Sequence, residues 1–131
     1  MEKKEKIEYL KNFISKQQLS SLEYLLKSEE KQYAKEKIDY FFELIQKMPK
    51  TYETDEQGDQ AIAYLHYYKS SIDFFVTEKD VETEQLQAFG LVNMNSELEL
   101  GYISIKELLE LNFELDLNFT PKTLEEIERI F

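Results

Sequence analysis

The sequence predicts an α+β domain: an N-terminal helical pair, a largely antiparallel sheet of four or five strands with a short inserted helix, and a C-terminal helix. Three observations predict this class. Apolar residues recur at helical spacing over residues 1–48, their period changes to two beyond the acidic loop 49–60, and helix-capping signals precede two later apolar stretches. At 131 residues the chain has the length of a single domain, in which residues 61–131 hold the sheet and two short helices.

The N-terminal helical pair is predicted from two apolar stripes. Ser20 and Glu23 match a capping box, and the stripe that follows them predicts a second helix as far as Lys47. The polar stretch KSEEKQYAKEK interrupts this stripe, so one continuous helix and a break near Ser28 are both open. The first helix is expected over about residues 3–16, where the apolar side chains share one helical face: Ile7, Leu10, Phe13 and Ile14.

The sheet is predicted from five segments rich in aromatic, β-branched or alternating residues. Residues 61–68 and 71–78 are separated by a short polar break and predict one hairpin. Residues 86–93 and 97–104 predict a second hairpin around MNS. The strictly alternating segment NFELDLNF, residues 112–119, predicts a fifth strand.

The two later helices are predicted by their N-terminal signals. Ser104 and Glu107 form a capping box before the short helical sequence IKELLEL. Thr120 followed by Pro121 is typical of an N-cap and the first helical position, so the chain is expected to close with the helix PKTLEEIERIF.

The net charge of −11 is unevenly distributed along the chain. Residues 1–50 contain eleven lysines and nine acidic residues, a net charge of +2, whereas residues 51–131 contain five basic and eighteen acidic residues, a net charge of −13. Such a field repels nucleic-acid phosphates and anionic membranes and attracts cations or basic protein surfaces. We therefore expect no direct nucleic-acid or membrane binding; the acidity serves solubility alone or recruits a basic partner.

Composition excludes several classes of chemistry. The chain has no cysteine, which rules out disulfides, thiolate metal sites and thiol nucleophiles. The N-terminus MEKKEKIEYL is charged with no apolar run behind it, and no stretch approaches the roughly 18 apolar residues of a membrane-spanning helix. The three glycines are not clustered into a phosphate-binding loop. We expect a soluble cytoplasmic protein without a cofactor.

Alternation along the predicted strands gives the main candidate surface. Side chains of a strand point to alternate faces of a sheet, so Leu98, Leu100 and Tyr102 share one face of their strand. If the strands are neighbours, the opposite sheet face is expected to gather five carboxylates: Asp73, Glu97, Glu99, Glu114 and Asp116.

Three interpretations of this acidic face compete. It is the solvated side of an antiparallel sheet, a binding surface for a basic protein, or a carboxylate metal site that serves hydrolysis. Neither ELEL nor ELDL is a known metal-binding motif, and like charges on neighbouring strands repel one another unless something neutralises them. We therefore assign no metal ligand.

The lone histidine is the other candidate group. In YLHYY, His66 alternates with Tyr64 and Tyr68, away from Ala63 and Leu65. A histidine can act as a general base near neutral pH, but no nucleophile motif accompanies this one, so a structural or surface role is favoured. The two tyrosines are candidates for stacking on a ligand and, more simply, for packing.

Several segments together resemble a known family. MPKTYETDEQGDQAIAYLHYY, FFVTEKD, FGLV, ELGYISIKEL and FELDLNFTPKTL are similar, in order and spacing, to the DUF2958-like domain, an uncharacterised family of bacterial plasmids, conjugative elements and phages. The similarity covers about residues 45–124, and its most specific piece is ELGY followed by Ser104, Glu107 and Leu108. The resemblance implies a mobile-element setting and brings no established reaction.

The chain also departs from the family pattern. Ile72 and Phe74 stand where the family usually has a pair of tryptophans, and Leu115 stands where an arginine flanked by acidic residues is common. If that arginine neutralises the neighbouring carboxylates in the family, this chain keeps Glu114 and Asp116 without it.

The leading functional hypothesis is a non-enzymatic mobile-element protein that binds a basic or DNA-binding protein through the acidic face. One alternative is a metal-assisted hydrolase that uses the carboxylates with the histidine; another is a structural protein that dimerises through the second helix. The predicted binding residues are Asp73, Glu97, Glu99, Glu114, Asp116, Tyr64, His66 and Tyr68.

Overall fold

A computed structural model describes residues 2–54 and 57–131 as an α+β fold. Three N-terminal helices pack on one face of a five-stranded antiparallel sheet, a fourth helix follows the sheet's edge strand, and a fifth closes the chain. The predicted fold class is confirmed. None of the helices in these described ranges is long and apolar enough to cross a bilayer.

The N-terminal part forms three helices: α1 (Lys3–Leu10), α2 (Lys16–Leu25) and α3 (Lys31–Lys47). The predicted capping box at Ser20 is wrong, because the Ser15 hydroxyl already caps α2 by accepting a hydrogen bond from the Gln18 N–H at 3.2 Å. The alternative of a break near Ser28 is confirmed, since α2 ends before it and α3 begins after it.

The apolar stripe of α3 is buried within the protein's own core. Its buried residues contact the sheet and the other helices, so the stripe on which the dimerisation alternative rested forms part of the intramolecular core. These residues are Ala34, Ile38, Phe41, Phe42 and Ile45.

The five-stranded sheet has the order β5-β4-β3-β2-β6, and every neighbouring pair is antiparallel. Both predicted hairpins form, each with a two-residue loop. A separate two-stranded sheet pairs β1 with β7. The strands are β1 (Ile62–Ala63), β2 (Leu65–Lys69), β3 (Ile72–Glu78), β4 (Ala88–Met94), β5 (Glu97–Ile103), β6 (Glu114–Leu115) and β7 (Lys122–Thr123).

The predicted fifth strand over 112–119 is cut to the two residues of β6. Asp116 ends it, because its carboxylate accepts a hydrogen bond from the Asn118 N–H at 2.9 Å and turns the chain. Within the predicted acidic loop 49–60, residues 58–60 form a short 3-10 helix, and Asp55 and Glu56 lie outside the described residues.

The last two helices are α4 (Ile105–Glu110) and α5 (Leu124–Glu128). Ser104 caps α4 as predicted, with its hydroxyl accepting a hydrogen bond from the Glu107 N–H. The predicted cap at Thr120 is wrong. Thr123 caps α5 instead, in a reciprocal capping box with Glu126, so the helix begins three residues later than the Thr120–Pro121 pair predicts.

The sheet is covered on both faces. On the helical face, Leu65, Tyr67, Val76 and Leu115 join the main core with the helices. The opposite, second face carries a smaller core contributed by β1, the sheet, the segment after β6 and α5. The expectation of a solvated sheet face is therefore wrong in the middle of the sheet. The residues of the smaller core are Ala61, Ala63, Phe75, Leu91, Phe119, Leu124 and Ile127.

Candidate functional site

The strand register separates the five predicted carboxylates. Glu97 lies opposite Met94 and Glu99 opposite Val92, and through them both glutamates share the helical face with Ile72 and Phe74. Asp73 lies on the second face, opposite Asn93 and Tyr68. Glu114 pairs with Tyr68 and shares that second face. The predicted gathering of all five carboxylates on one face is therefore wrong.

The physical reason lies in the position of β5. This strand is at the edge of the sheet, and Glu97 and Glu99 remain exposed on the helical face. Leu98 contacts the smaller core on the second face, so the apolar side of β5 turns away from the main core. Alternation of polar and apolar residues in an edge strand thus shows that one side of the strand is apolar. It does not show on which face of the sheet that side packs.

A compact hydrogen-bonded group, which we call the His66 cluster, lies on the second face. His66 on β2 contacts two carboxylates: its Nε2 is 2.7 Å from Asp73 Oδ1, and its Nδ1 is 3.0 Å from Asp116 Oδ2. Asn93 on β4 donates from Nδ2 to Asp73 Oδ2 at 2.8 Å. His66 therefore links β2 to β3 and to the segment after β6, and Asp73 extends the link to β4.

Two phenylalanine rings pack against the imidazole of His66. Its ring stacks on Phe75 at 4.5 Å between centroids and 7° between planes, and Phe119 lies 5.6 Å away. The side chains of His66 and Asp73 are 16% and 20% exposed, so the cluster is largely shielded from solvent. Shielding strengthens a hydrogen bond between charged partners relative to an exposed one.

The hydrogen-bond geometry limits the chemistry of this histidine. An ionised carboxylate only accepts, so the two contacts made together require both ring nitrogens to donate, or one carboxyl group to carry the proton. A general base needs a ring nitrogen within reach of the substrate's proton, whereas each nitrogen of His66 faces a carboxylate of the protein. The arrangement suits a cross-link between strands.

The two tyrosines predicted beside His66 are separated by the fold. Tyr64 lies between β1 and β2, where the chain changes face, and it packs against the main core. Tyr68 stays on the second face, its ring 5.6 Å from that of His66, and its hydroxyl donates to Glu114 at 2.9 Å. This hydrogen bond to a carboxylate is the main cause that raises the pKa of Tyr68.

Three consecutive charged residues that the sequence reasoning missed are buried at the end of β3. The Glu78 carboxylate accepts hydrogen bonds from the N–H groups of Tyr52 and Thr54 and from the Thr54 hydroxyl. The Lys79 ammonium donates to the Ile45 carbonyl at 2.6 Å and, at 3.3 Å, to the next carbonyl at the end of α3. Burial, together with nearby Lys50, lowers the pKa of Lys79.

The third of these residues organises the loop before β4. Asp80 accepts hydrogen bonds from the N–H groups of Glu82, Leu86 and Gln87. The three charges thus fix the chain on either side of β3 and serve the fold. A charged run after an apolar strand resembles a solvated loop, and no signal in the sequence distinguishes the two.

The geometry does not assemble a metal site from these groups. Within residues 2–54 and 57–131, no set of three or more histidine, aspartate or glutamate side chains is arranged to hold a metal ion. The hydrolase alternative needs several oxygens at one point, and the register places Glu97 and Glu99 on the face opposite Asp73.

The exposed acidic groups in residues 51–131 are poorly neutralised. In the part of the chain that the structure describes, the ion pairs of this half are those of His66 with its two aspartates and that of Arg129 with Glu125. Lys69 and Lys79 donate to backbone carbonyls instead. Among residues 2–54 and 57–131, several exposed carboxylates of this half make no ion pair: Glu82, Glu84, Glu97, Glu99, Glu107, Glu110 and Glu114.

Comparison of the chain with protein-family models, curated proteins and solved structures found no significant match. The resemblance to the DUF2958-like family stays a prediction.

Proposed function

We propose that this protein is a non-enzymatic binding module whose ligand is a basic protein. The observation that carries the proposal is the net charge of −13 in residues 51–131, most of it on exposed side chains that make no ion pair with the residues the structure describes. A surface of this kind accelerates the encounter with a positively charged protein and disfavours nucleic acids. The family resemblance would add a mobile-element setting, in which a DNA-binding protein is one such basic partner.

We assign binding to fewer carboxylates than the sequence predicts. Asp73 and Asp116 are committed to His66, and Glu114 accepts from Tyr68. Glu97 and Glu99 are exposed and make no ion pair within the described ranges. These two glutamates of β5 are therefore the residues that we assign to the partner.

Affinity capture from a bacterial lysate tests this function. The wild-type protein and the Glu97→Lys/Glu99→Lys variant would be used as baits at low and high salt, and a purified captured protein would then be titrated by calorimetry. A matched control, Glu29→Lys/Glu43→Lys, makes the same change in net charge on exposed residues of the helical part.

The proposal expects a basic protein that binds the wild type and the control, and that is lost with the β5 variant and at high salt. Salt acts because screening beyond about 8–10 Å removes most of the attraction between exposed charges. A captured set that is the same for all three baits, or a specific partner with an acidic surface, contradicts the proposal.

A further inference from the structure

Outside the His66 cluster, the edge strand β5 is the surface best suited to bind another chain. It has seven residues at one end of the five-stranded sheet, whereas the opposite edge, β6, has two. A long edge strand presents unpaired N–H and C=O groups that another extended chain can join.

The hairpin loop determines which backbone groups face outward. β4 and β5 are joined by the two-residue loop of Asn95 and Ser96, both with positive φ, so Met94 and Glu97 flank a turn and form a hydrogen-bonded pair. Hydrogen-bonded pairs alternate along an antiparallel ladder. Glu97 and Glu99 therefore bond to β4, and the N–H and C=O groups of Leu98 and Leu100 point away from the sheet.

A second observation supports this way of assigning inward and outward backbone groups from a hairpin loop. The same argument at the β2–β3 loop makes Lys69 and Ile72 a bonded pair and turns the His66 carbonyl away from β3. That carbonyl does accept a hydrogen bond from the Asp116 N–H on the outer side, at 2.8 Å. In residues 2–54 and 57–131, no backbone hydrogen bond from another segment reaches Leu98 or Leu100.

The side chains of β5 give the edge two different sides. Glu97 and Glu99 are exposed on the helical face, and a Cβ built on Gly101 would meet no atom within 4 Å there, so space is open on that side. On the second face Leu100 is 47% exposed. Beside it is a hollow of about 260 Å³, whose lining includes Phe89 and Leu124.

We propose that β5 binds an extended segment of the basic partner by strand addition, a step that rests on the proposed function. The added strand alternates lysine or arginine with apolar side chains. Its basic residues lie beside Glu97 and Glu99, and its apolar residues lie beside Leu98 and Leu100. Backbone hydrogen bonds supply affinity, and the alternation supplies register and specificity.

A second copy of the chain fits this edge less well. Antiparallel pairing of two β5 strands about Leu100 would bring four glutamates onto one face, between two chains that each carry a net charge of −11. Like charges on paired strands destabilise the pair. Charge complementarity therefore selects a basic strand.

The test uses two short peptides of identical composition, one alternating lysine and valine and one with all lysines before all valines. Their affinities for the whole protein would be measured at low salt by fluorescence anisotropy. Two variants of β5 separate the contributions: Leu100→Pro removes an outward N–H and the side chain, whereas Leu100→Ala removes only the side chain. Circular dichroism and thermal melts verify that both variants fold.

We expect the alternating peptide to bind at least about tenfold more tightly than the block peptide, and Leu100→Pro to weaken it about tenfold relative to Leu100→Ala. Hydrogen exchange of the wild-type Leu98 and Leu100 amides should slow in the complex. This second readout needs no variant, so unchanged exchange rates overturn strand addition even if Leu100→Pro fails to fold.

The remaining outcomes separate the two proposals. Equal affinity for both peptides, with Leu100→Pro equal to Leu100→Ala, overturns strand addition and leaves the basic-partner function standing. Binding of neither peptide at low salt overturns both. A wild-type dimer in sedimentation that Leu100→Pro dissociates assigns the edge to a second copy and also overturns the inference.

Discussion

His66 is held as a cross-link between carboxylates on two segments, and this role makes its removal costly. Without the imidazole, Asp73 and Asp116 would remain as two like charges in a largely shielded site. Hydrogen bonds between charged partners contribute more than neutral ones. The cluster is therefore expected to contribute to the stability of the sheet.

A double-mutant cycle on His66→Ala and Asp73→Ala tests that contribution. We expect a coupling free energy of about 1–2 kcal/mol in urea unfolding, since both side chains are mostly shielded. The exposed pair Arg129–Glu125 serves as the control and should show no measurable coupling. Equal coupling in both cycles would contradict the cross-link.

Tyr67 gives a prediction at alkaline pH. It is fully buried, its hydroxyl donates to the Phe13 carbonyl at 2.6 Å, and burial raises its pKa far above the ordinary value of 10.0. Above pH 10 the unfolded chain releases this proton while the folded chain keeps it, so the free energy of unfolding falls as pH rises.

The variant Tyr67→Phe isolates this effect. Below pH 10 we expect it to be less stable than the wild type by about 1–2 kcal/mol, because the Phe13 carbonyl loses its donor. Above pH 10 the difference should shrink. Other groups that titrate there, such as Lys79, cancel in the comparison. A difference that stays constant between pH 8 and pH 11.5 in urea titrations would contradict the assignment.

Among the elements, the β4–β5 hairpin contains two glycines that face each other and have opposite requirements. The register pairs Gly90 with Gly101. A Cβ on Gly90 would lie 2.0 Å from the Phe75 carbonyl oxygen, whereas a Cβ on Gly101 would meet nothing within 4 Å. The close approach at Gly90 adjoins the register shift between Val76 and Glu78.

Alanine at each position should therefore behave differently. We expect Gly90→Ala to lower the free energy of unfolding by about 1–3 kcal/mol or more, because backbone must move to admit the methyl group. Gly101→Ala should be neutral or slightly stabilising, since glycine weakens a strand interior. Chemical unfolding of both variants measures the difference. A larger loss of unfolding free energy for Gly101→Ala than for Gly90→Ala would contradict the close backbone contact at Gly90.

At the level of elements, the sequence predicts features that depend on neighbouring residues. The two hairpins, the break near Ser28 and the cap of α4 are of this kind, and local sequence signals are enough to predict them. The Ser20 and Thr120 caps failed because a competing signal lay a few residues away, at Ser15 and at Thr123. Local patterns predict that a helix starts nearby more reliably than where it starts.

The candidate site was predictable only in part, because it depends on which strands are neighbours. The predicted alternation of side chains within β5 is correct. Which of its side chains share a sheet face with Asp73 of β3 depends on the hairpin register and on the second core around α5. The contacts of His66 with Asp73 and Asp116 join residues 7 and 50 positions apart. No periodicity in the sequence encodes such a contact.

For the whole molecule, the uneven charge predicts how stability responds to salt. Most exposed carboxylates of residues 51–131 lack a cationic partner in the described ranges, so their mutual repulsion opposes folding. We expect the melting temperature to rise as NaCl increases from low to physiological concentration, where the screening length falls from about 30 Å to about 8 Å. The Glu97→Lys/Glu99→Lys variant should respond less. A melting temperature that falls with salt would mean that attractive pairs dominate.

We propose that the acidic surface, and β5 in particular, receives a basic ligand. The most direct measurement is a two-dimensional NMR titration of the labelled protein with oligolysine, with oligoglutamate as the control peptide. We expect shifts concentrated at Glu97, Leu98, Glu99 and Leu100, reversed by salt and absent with oligoglutamate. Shifts confined to α1–α3, or no shifts at low salt, would contradict it.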